Sequence, residues 1–195
     1  MKKVLITMLS LGTLSANAGG YVNGGLGYEM KKSSWKDFED KKEEFKQKGL
    51  LLTFGAGQMQ DLENNLFLGY GFDLGMSMAK KKKDQENEVI EVKSNLFMDT
   101  YLSFGYKIND AISTYAKLGV NLSQTSYIRK LNGEIVENKY LTDIGLMYGI
   151  GMNYMVNAKG AVYAEILMKN AKSDFGREGK TKTMPALTVG YRYFF

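Results

Sequence analysis

The sequence predicts an all-β fold, an eight-stranded antiparallel transmembrane up-and-down β-barrel. Three observations carry this expectation. Long segments alternate with period two, each apolar face is opposed by small and polar residues, and short turns alternate with long charged connections. Successive side chains of a strand point to opposite faces, whereas a helix would scatter the same residues around its circumference.

The chain opens on a segment that does not belong to the fold. Lys2 and Lys3 form a positive start, Val4 to Leu14 is a short apolar core, and Ala16-Asn17-Ala18 is a small-residue cleavage site. That core falls short of the roughly 20 residues a transmembrane helix needs. Residues 1–18 therefore read as a cleaved secretory signal peptide and 19–195 as the barrel.

The strands follow in order. Val22 to Met30 and Leu50 to Ala56 fit the alternation first. From Asn65 to Ala79, Leu66, Leu68, Tyr70, Phe72, Leu74, Met76 and Met78 share one face, and Phe67, Gly69, Gly71, Asp73, Gly75 and Ser77 share the other. From Leu96 to Ile108, Leu102, Phe104 and Tyr106 oppose Asp99, Tyr101, Ser103 and Gly105. Ile112 to Leu122, Ile144 to Val156 and Val162 to Met168 repeat the pattern, and a last strand runs from about Thr183 to Phe195. A soluble sandwich buries the apolar face and wets the other. Here the second face is rich in glycine, serine and isolated charges, which suits the narrow interior of an eight-stranded barrel. The apolar face then meets lipid, and closure satisfies every backbone group.

Short turns are expected around Gln60–Asn65, Asn109–Ala111 and Asn157–Gly160, at the end where both termini lie. Long connections are expected at Lys31–Lys48, Lys80–Glu88, Gln124–Lys139 and Asn170–Lys182, the third as an extended hairpin turning at Asn132-Gly133.

Composition narrows the chemistry. The sequence holds no cysteine and no histidine. Disulfides, histidine-based zinc sites and histidine-dependent triads are thereby excluded. No catalytic residue, metal ligand or cofactor is assigned. Gly-x-Gly pairs at Gly55/Gly57, Gly69/Gly71 and Gly149/Gly151 lie inside strands with no following helix, so they are not phosphate-cradling loops. They read as lumen glycines that leave room for neighbours.

The final strand carries a resemblance. Leu187, Val189, Tyr191, Tyr193 and the terminal Phe195 alternate along it. They resemble the signal read by the barrel-assembly machinery. With the leader and the strand pattern, the chain resembles the eight-stranded OmpA/OmpX-like outer-membrane β-barrel (porin-like) family. The resemblance implies an integral protein of the bacterial outer membrane, with periplasmic turns and outer loops. It implies a monomer among outer-membrane lipids, including lipopolysaccharide, with no nucleic-acid partner. No periplasmic wall-binding domain is expected after the last strand. The implied role is non-enzymatic: structural, surface-interacting or narrowly porin-like. The alternative, from a likeness in size to OmpW-like barrels, is a binder or conduit for small hydrophobic molecules. That needs an apolar lumen patch, for which Phe67, Phe97, Tyr101, Met147 and Met155 are the candidates.

The sharper candidate site is a charge network. Alternation assigns Glu29, Asp73, Asp99, Lys117, Glu165, Lys169 and Arg192 to the inner face. Counted from the periplasmic turns, Glu165 matches Arg192 in height, and Asp99 matches Lys117. Ion pairs are expected there, because isolated charges in a water-poor lumen are costly. Asp73 and Asp99 are expected to approach one another across adjacent strands, so that one needs a cation such as Lys117. The network is either a polar plug or an ion-selective constriction; small barrels are usually filled, which favours the plug. Paired carboxylates allow acid–base chemistry in principle, but a filled lumen offers a substrate little room. Lys80–Lys83 reads as a solvated loop tip, with contact to lipopolysaccharide phosphates as the other reading. Trp35, Phe38 and Phe45 read as interfacial or loop-packing aromatics that double as a possible binding patch.

Overall fold

The computed structural model describes residues 19–36, 42–85, 88–173, 179–183 and 185–195. Residues 1–18, the expected leader, lie outside these. The segments are β1 (Gly19–Lys36), β2 (Lys42–Asp61), β3 (Leu66–Ser77), β4 (Lys80–Gln85), β5 (Glu88–Lys107), β6 (Ile112–Leu131), β7 (Glu134–Asn157), β8 (Gly160–Ser173), β9 (Gly179–Thr183) and β10 (Ala186–Phe194). Among the described residues there is no helix. Segments β3 and β4 are one barrel strand interrupted at Met78 and Ala79, because both pair with β2 and β5. Segments β9 and β10 are likewise one strand, flanked by β1 and β8. Pro185 sits at that interruption, where its missing N–H removes nothing from a ladder.

The result is a closed, eight-stranded antiparallel barrel. The seam joins β1 to β10, in register from Tyr21↔Phe194 to Tyr28↔Leu187. Closure leaves no open edge, the condition for a sheet to stand in hydrocarbon.

Alternation sorts the side chains as expected. The outward residues Leu26, Phe54, Leu102, Leu118 and Ile150 are 66, 60, 57, 63 and 62% exposed, while Phe67, Tyr101 and Met147 are buried inside. A continuous apolar belt on this scale is unfavourable in water and natural in lipid.

Packing of the lumen follows a simple rule. Six inward aromatics lie directly opposite a glycine on a neighbouring strand: Tyr21–Gly57, Phe67–Gly105, Phe97–Gly75, Tyr101–Gly71, Tyr115–Gly151 and Tyr163–Gly190. Each ring lies over the space its partner leaves. A Cβ added at Gly75 or Gly105 would collide with the ring of Phe97 or Phe67. This is why the Gly-x-Gly spacing recurs inside strands.

Two expectations change. The long connections are mostly strand. Lys80–Lys83 is no loop tip but part of β4, paired with β5 from Lys80↔Lys93 to Lys83↔Ile90. The stretches Lys31–Lys48 and Asn170–Lys182 are largely β1, β2, β8 and β9. Beyond the lipid the outward side chains meet water, so the apolar–polar contrast between the faces disappears while the ladder and its alternation of faces continue. The third connection is the expected extended hairpin, with Asn132 and Gly133 at φ 50° and 87° in a type I′ turn. Of the aromatic patch, Phe38 lies outside the described residues, as do the side chains of Trp35 and Phe45.

Candidate functional site

The seven charged residues assigned to the inner face are all buried within the lumen: Glu29, Asp73, Asp99, Lys117, Glu165, Lys169 and Arg192. Their strands position them by alternation alone. Their pairing comes from the stagger of a closed barrel, which carries residues of distant strands to one height.

The larger group centres on Lys117 of β6. Its Nζ lies 2.7 Å from Glu165 Oε1 on β8 and 3.5 Å from Asp73 Oδ2 on β3. Arg192 on β10 reaches the same Glu165 oxygen at 3.4 Å and donates to Asn153 Oδ1 at 2.8 Å. Neutral groups complete the shells. Tyr115 donates its hydroxyl to Glu165 at 2.6 Å, and Asn23 and Tyr101 donate to Asp73 at 3.1 and 3.3 Å. The aromatic rings also meet the cations. Lys117 Nζ lies 3.9 Å from the Tyr101 centroid, and the Arg192 guanidinium lies 4.6 and 5.0 Å from those of Tyr21 and Tyr163. Desolvated cations over ring faces gain on the order of 2 kcal/mol.

A second group pairs Lys169 of β8 with Asp99 of β5 at 2.5 Å, and Asn121 donates to the other Asp99 oxygen, also at 2.5 Å. Lys169 Nζ stands 3.9 Å from the Phe97 centroid. Nearer the outer end, Glu29 accepts from Ser77 and pairs with Lys31 at 3.6 Å, and Lys31 donates to Ser94, which donates to Gln47.

The pairing differs from expectation in one place. Glu165 and Arg192 meet, but Asp99 and Lys117 do not. Register places Asn121 opposite Asp99 and Ser103 opposite Lys117, so counting from the turns mismatched their heights. Asp73 and Asp99 are direct register partners, and each faces its own cation, Lys117 or Lys169. Lys31 was missed because the charged stretch Lys31–Lys48 reads as a connection. Once β1 extends to Lys36, alternation turns Lys31 inward with Glu29.

The apolar lumen candidates do not form one patch. Phe97 packs with Leu51 and Ala186, and Tyr101 and Met147 pack with Leu167. Phe67 is buried near Tyr115, and Met155 faces a mouth cavity of about 470 Å³ at the periplasmic end, beside Asp61, Lys107 and Phe194. On β10 Leu187, Val189, Tyr191 and Tyr193 point outward, as does Phe195 just beyond its end, interleaved with buried Thr188 and Arg192. Among the described residues no cluster of carboxylates is arranged to hold a metal ion.

Residues 4–195 match the family described as the outer membrane protein beta-barrel domain. Three solved structures of bacterial proteins share the architecture. Neisserial surface protein A is 16% identical with a TM-score of 0.56, over 90% of this chain and 97% of its own. Outer membrane protein OprG from Pseudomonas aeruginosa is 16% identical with a TM-score of 0.56, over 92% and 96%. The outer membrane protease OmpT from Escherichia coli is 11% identical with a TM-score of 0.57, over 94% and 99%. At such identities the likeness is one of fold. No curated protein matches the sequence significantly.

Proposed function

The chain belongs to the outer membrane protein β-barrel domain family and is integral to the outer membrane, and on that premise we propose that it is a non-enzymatic, non-conducting barrel whose lumen is a rigid plug and whose work is done on its outer surface. One observation carries this reading. The chain Asp73–Lys117–Glu165 joins β3 to β8, which stand opposite one another around the barrel. It therefore crosses the whole bore, with Arg192 and four tyrosines packed against it. An ion passing through would have to displace buried, mutually paired charges. Breaking such a pair costs about 3–5 kcal/mol.

The same packing weighs against a conduit for small hydrophobic molecules, because charged groups separate the apolar clusters. It also weighs against acid–base catalysis at Asp73 and Asp99, since each carboxylate is held by an ammonium group. At 11% identity the likeness to the protease OmpT is one of fold and carries no catalytic residue to this chain. The outward exposure of Leu187, Val189, Tyr191, Tyr193 and Phe195 supports a role for this ladder as an assembly signal.

Single-channel recording in a planar bilayer tests the reading, with the refolded protein, Asp99→Asn and Arg192→Gln. Heat-modifiable gel mobility establishes that each barrel is folded. The expected wild-type record is silent. Steady wild-type conductance that shifts with either substitution would mean that the charges line a wet pathway, and the plug reading would fall.

A further inference from the structure

Register brings lysines from separate parts of the sequence into rows on the outer wall. Lys48 on β2 lies opposite Lys80 on β4, and Lys80 lies opposite Lys93 on β5. One pleat step further out, Lys32 on β1 lies opposite Lys46 on β2. The outward side follows from alternation. The next outward residues toward the membrane are Leu50, Met78 and Leu96, each 58 or 59% exposed in the apolar belt. The bulge between Ser94 and Phe97 keeps Lys93 outward, since both flanking residues are buried. The row thus stands immediately above the lipid-facing belt, at the level of headgroups. The row ends on the β6 side, where Ser126 lies opposite Lys93 and Tyr140 opposite Ser126, while on the other side register sets Lys182 of β9 opposite Lys32.

Like charges directly opposite one another across strands are destabilising. Among the described side chains, Glu91 meets Lys93, with its Oε1 3.2 Å from Nζ. The arrangement calls for anions supplied from outside the chain, and the position supplies their nature. We propose that Lys48, Lys80 and Lys93, flanked by Lys32 and Lys46, form a binding face for the phosphate groups of an outer-leaflet glycolipid. The alkyl stems lie along the apolar belt and the ammonium groups reach the phosphates above it. Lys80 alone is visible as part of a basic run in the sequence; the face exists only because three strands align. This inference is independent of whether the lumen conducts.

The test titrates the refolded barrel in neutral maltoside micelles with diphosphorylated lipid A, with the same lipid stripped of its phosphates, and with inorganic pyrophosphate. The variants are K48Q/K80Q/K93Q and a control, K107Q/K130Q/K159Q. Each lysine near an anionic lipid surface is worth about fivefold in affinity, so the first variant should bind lipid A roughly a hundredfold more weakly. The control should bind as wild type does, and the stripped lipid and pyrophosphate should bind weakly to every form. Equal binding of the stripped lipid, unchanged affinity in the first variant or an equal loss in the control would overturn the proposal. Pyrophosphate binding as tight as lipid A would overturn the lipid as its source. Should the triple variant fail the heat-modifiability check, K48Q and K93Q are measured singly, with about fivefold expected from each and no change overturning the proposal.

Discussion

Lys117 and Lys80 carry the same charge on one barrel in opposite circumstances. Lys117 is sealed in the lumen between Asp73 and Glu165, with a tyrosine ring against its ammonium group. Lys80 stands on the outer wall between Lys48 and Lys93. Inside, each of Glu29, Asp73, Asp99, Lys117, Glu165, Lys169 and Arg192 is met by its opposite, because water is excluded and an uncompensated charge is costly. Outside, solvent screens the repulsion of like charges enough for them to coexist. The lumen's ion pairs are made within the chain, while the charges of the wall are left to be met by its surroundings.

Lys117→Met should have the largest effect. It strands Asp73 and one contact of Glu165, and the expected loss of stability is about 3–5 kcal/mol. Urea unfolding of the refolded barrel in vesicles would measure it, and a loss near zero would erase the contrast. Tyr115→Phe should cost less, about 1–2 kcal/mol by the same measurement, since it removes one hydroxyl donor while Glu165 keeps Lys117 and Arg192. Lys80→Gln should cost nothing in glycolipid-free micelles and should stabilise by up to about 0.5 kcal/mol through relief of cross-strand repulsion. Raising the salt concentration should shrink that gain and leave the Lys117→Met loss nearly intact; equal salt sensitivity would show that the two environments do not differ as described.

The fold was legible because lipid imposes a pattern that survives in a single sequence. Leu66 to Met78 is apolar at every second position for no reason but the hydrocarbon outside it. The inward placement of Asp73, Asp99, Lys117, Glu165, Lys169 and Arg192 followed from the same alternation. Which of them pair did not follow, because pairing depends on the stagger between strands. Asp99 meets Lys169 three strands away around the barrel rather than Lys117 on the next. Segment β4 was invisible for another reason: four lysines in succession present no contrast between faces, so nothing in Lys80–Lys83 distinguishes a strand from a loop. Lys31 disappeared in the same way, within the charged stretch Lys31–Lys48.

The irregularity in β5 between Ser94 and Phe97 has a consequence for how this strand tolerates changes in length. Ser94 and Phe97 both face the lumen with two residues between them instead of one. The strand is therefore two alternating runs joined out of phase. Removing Asn95 would bring them into phase and leave every other side chain on its present face, with Lys93 still outside and Asp99 still inside. Removing Thr100 would invert one run against the other, turning charges into lipid and leucines into the bore. A deletion at Asn95 thus keeps every side chain of β5 on its face and brings the strand into step with β6, at the cost of a wider mismatch with β3 and β4, whereas one at Thr100 inverts half the strand.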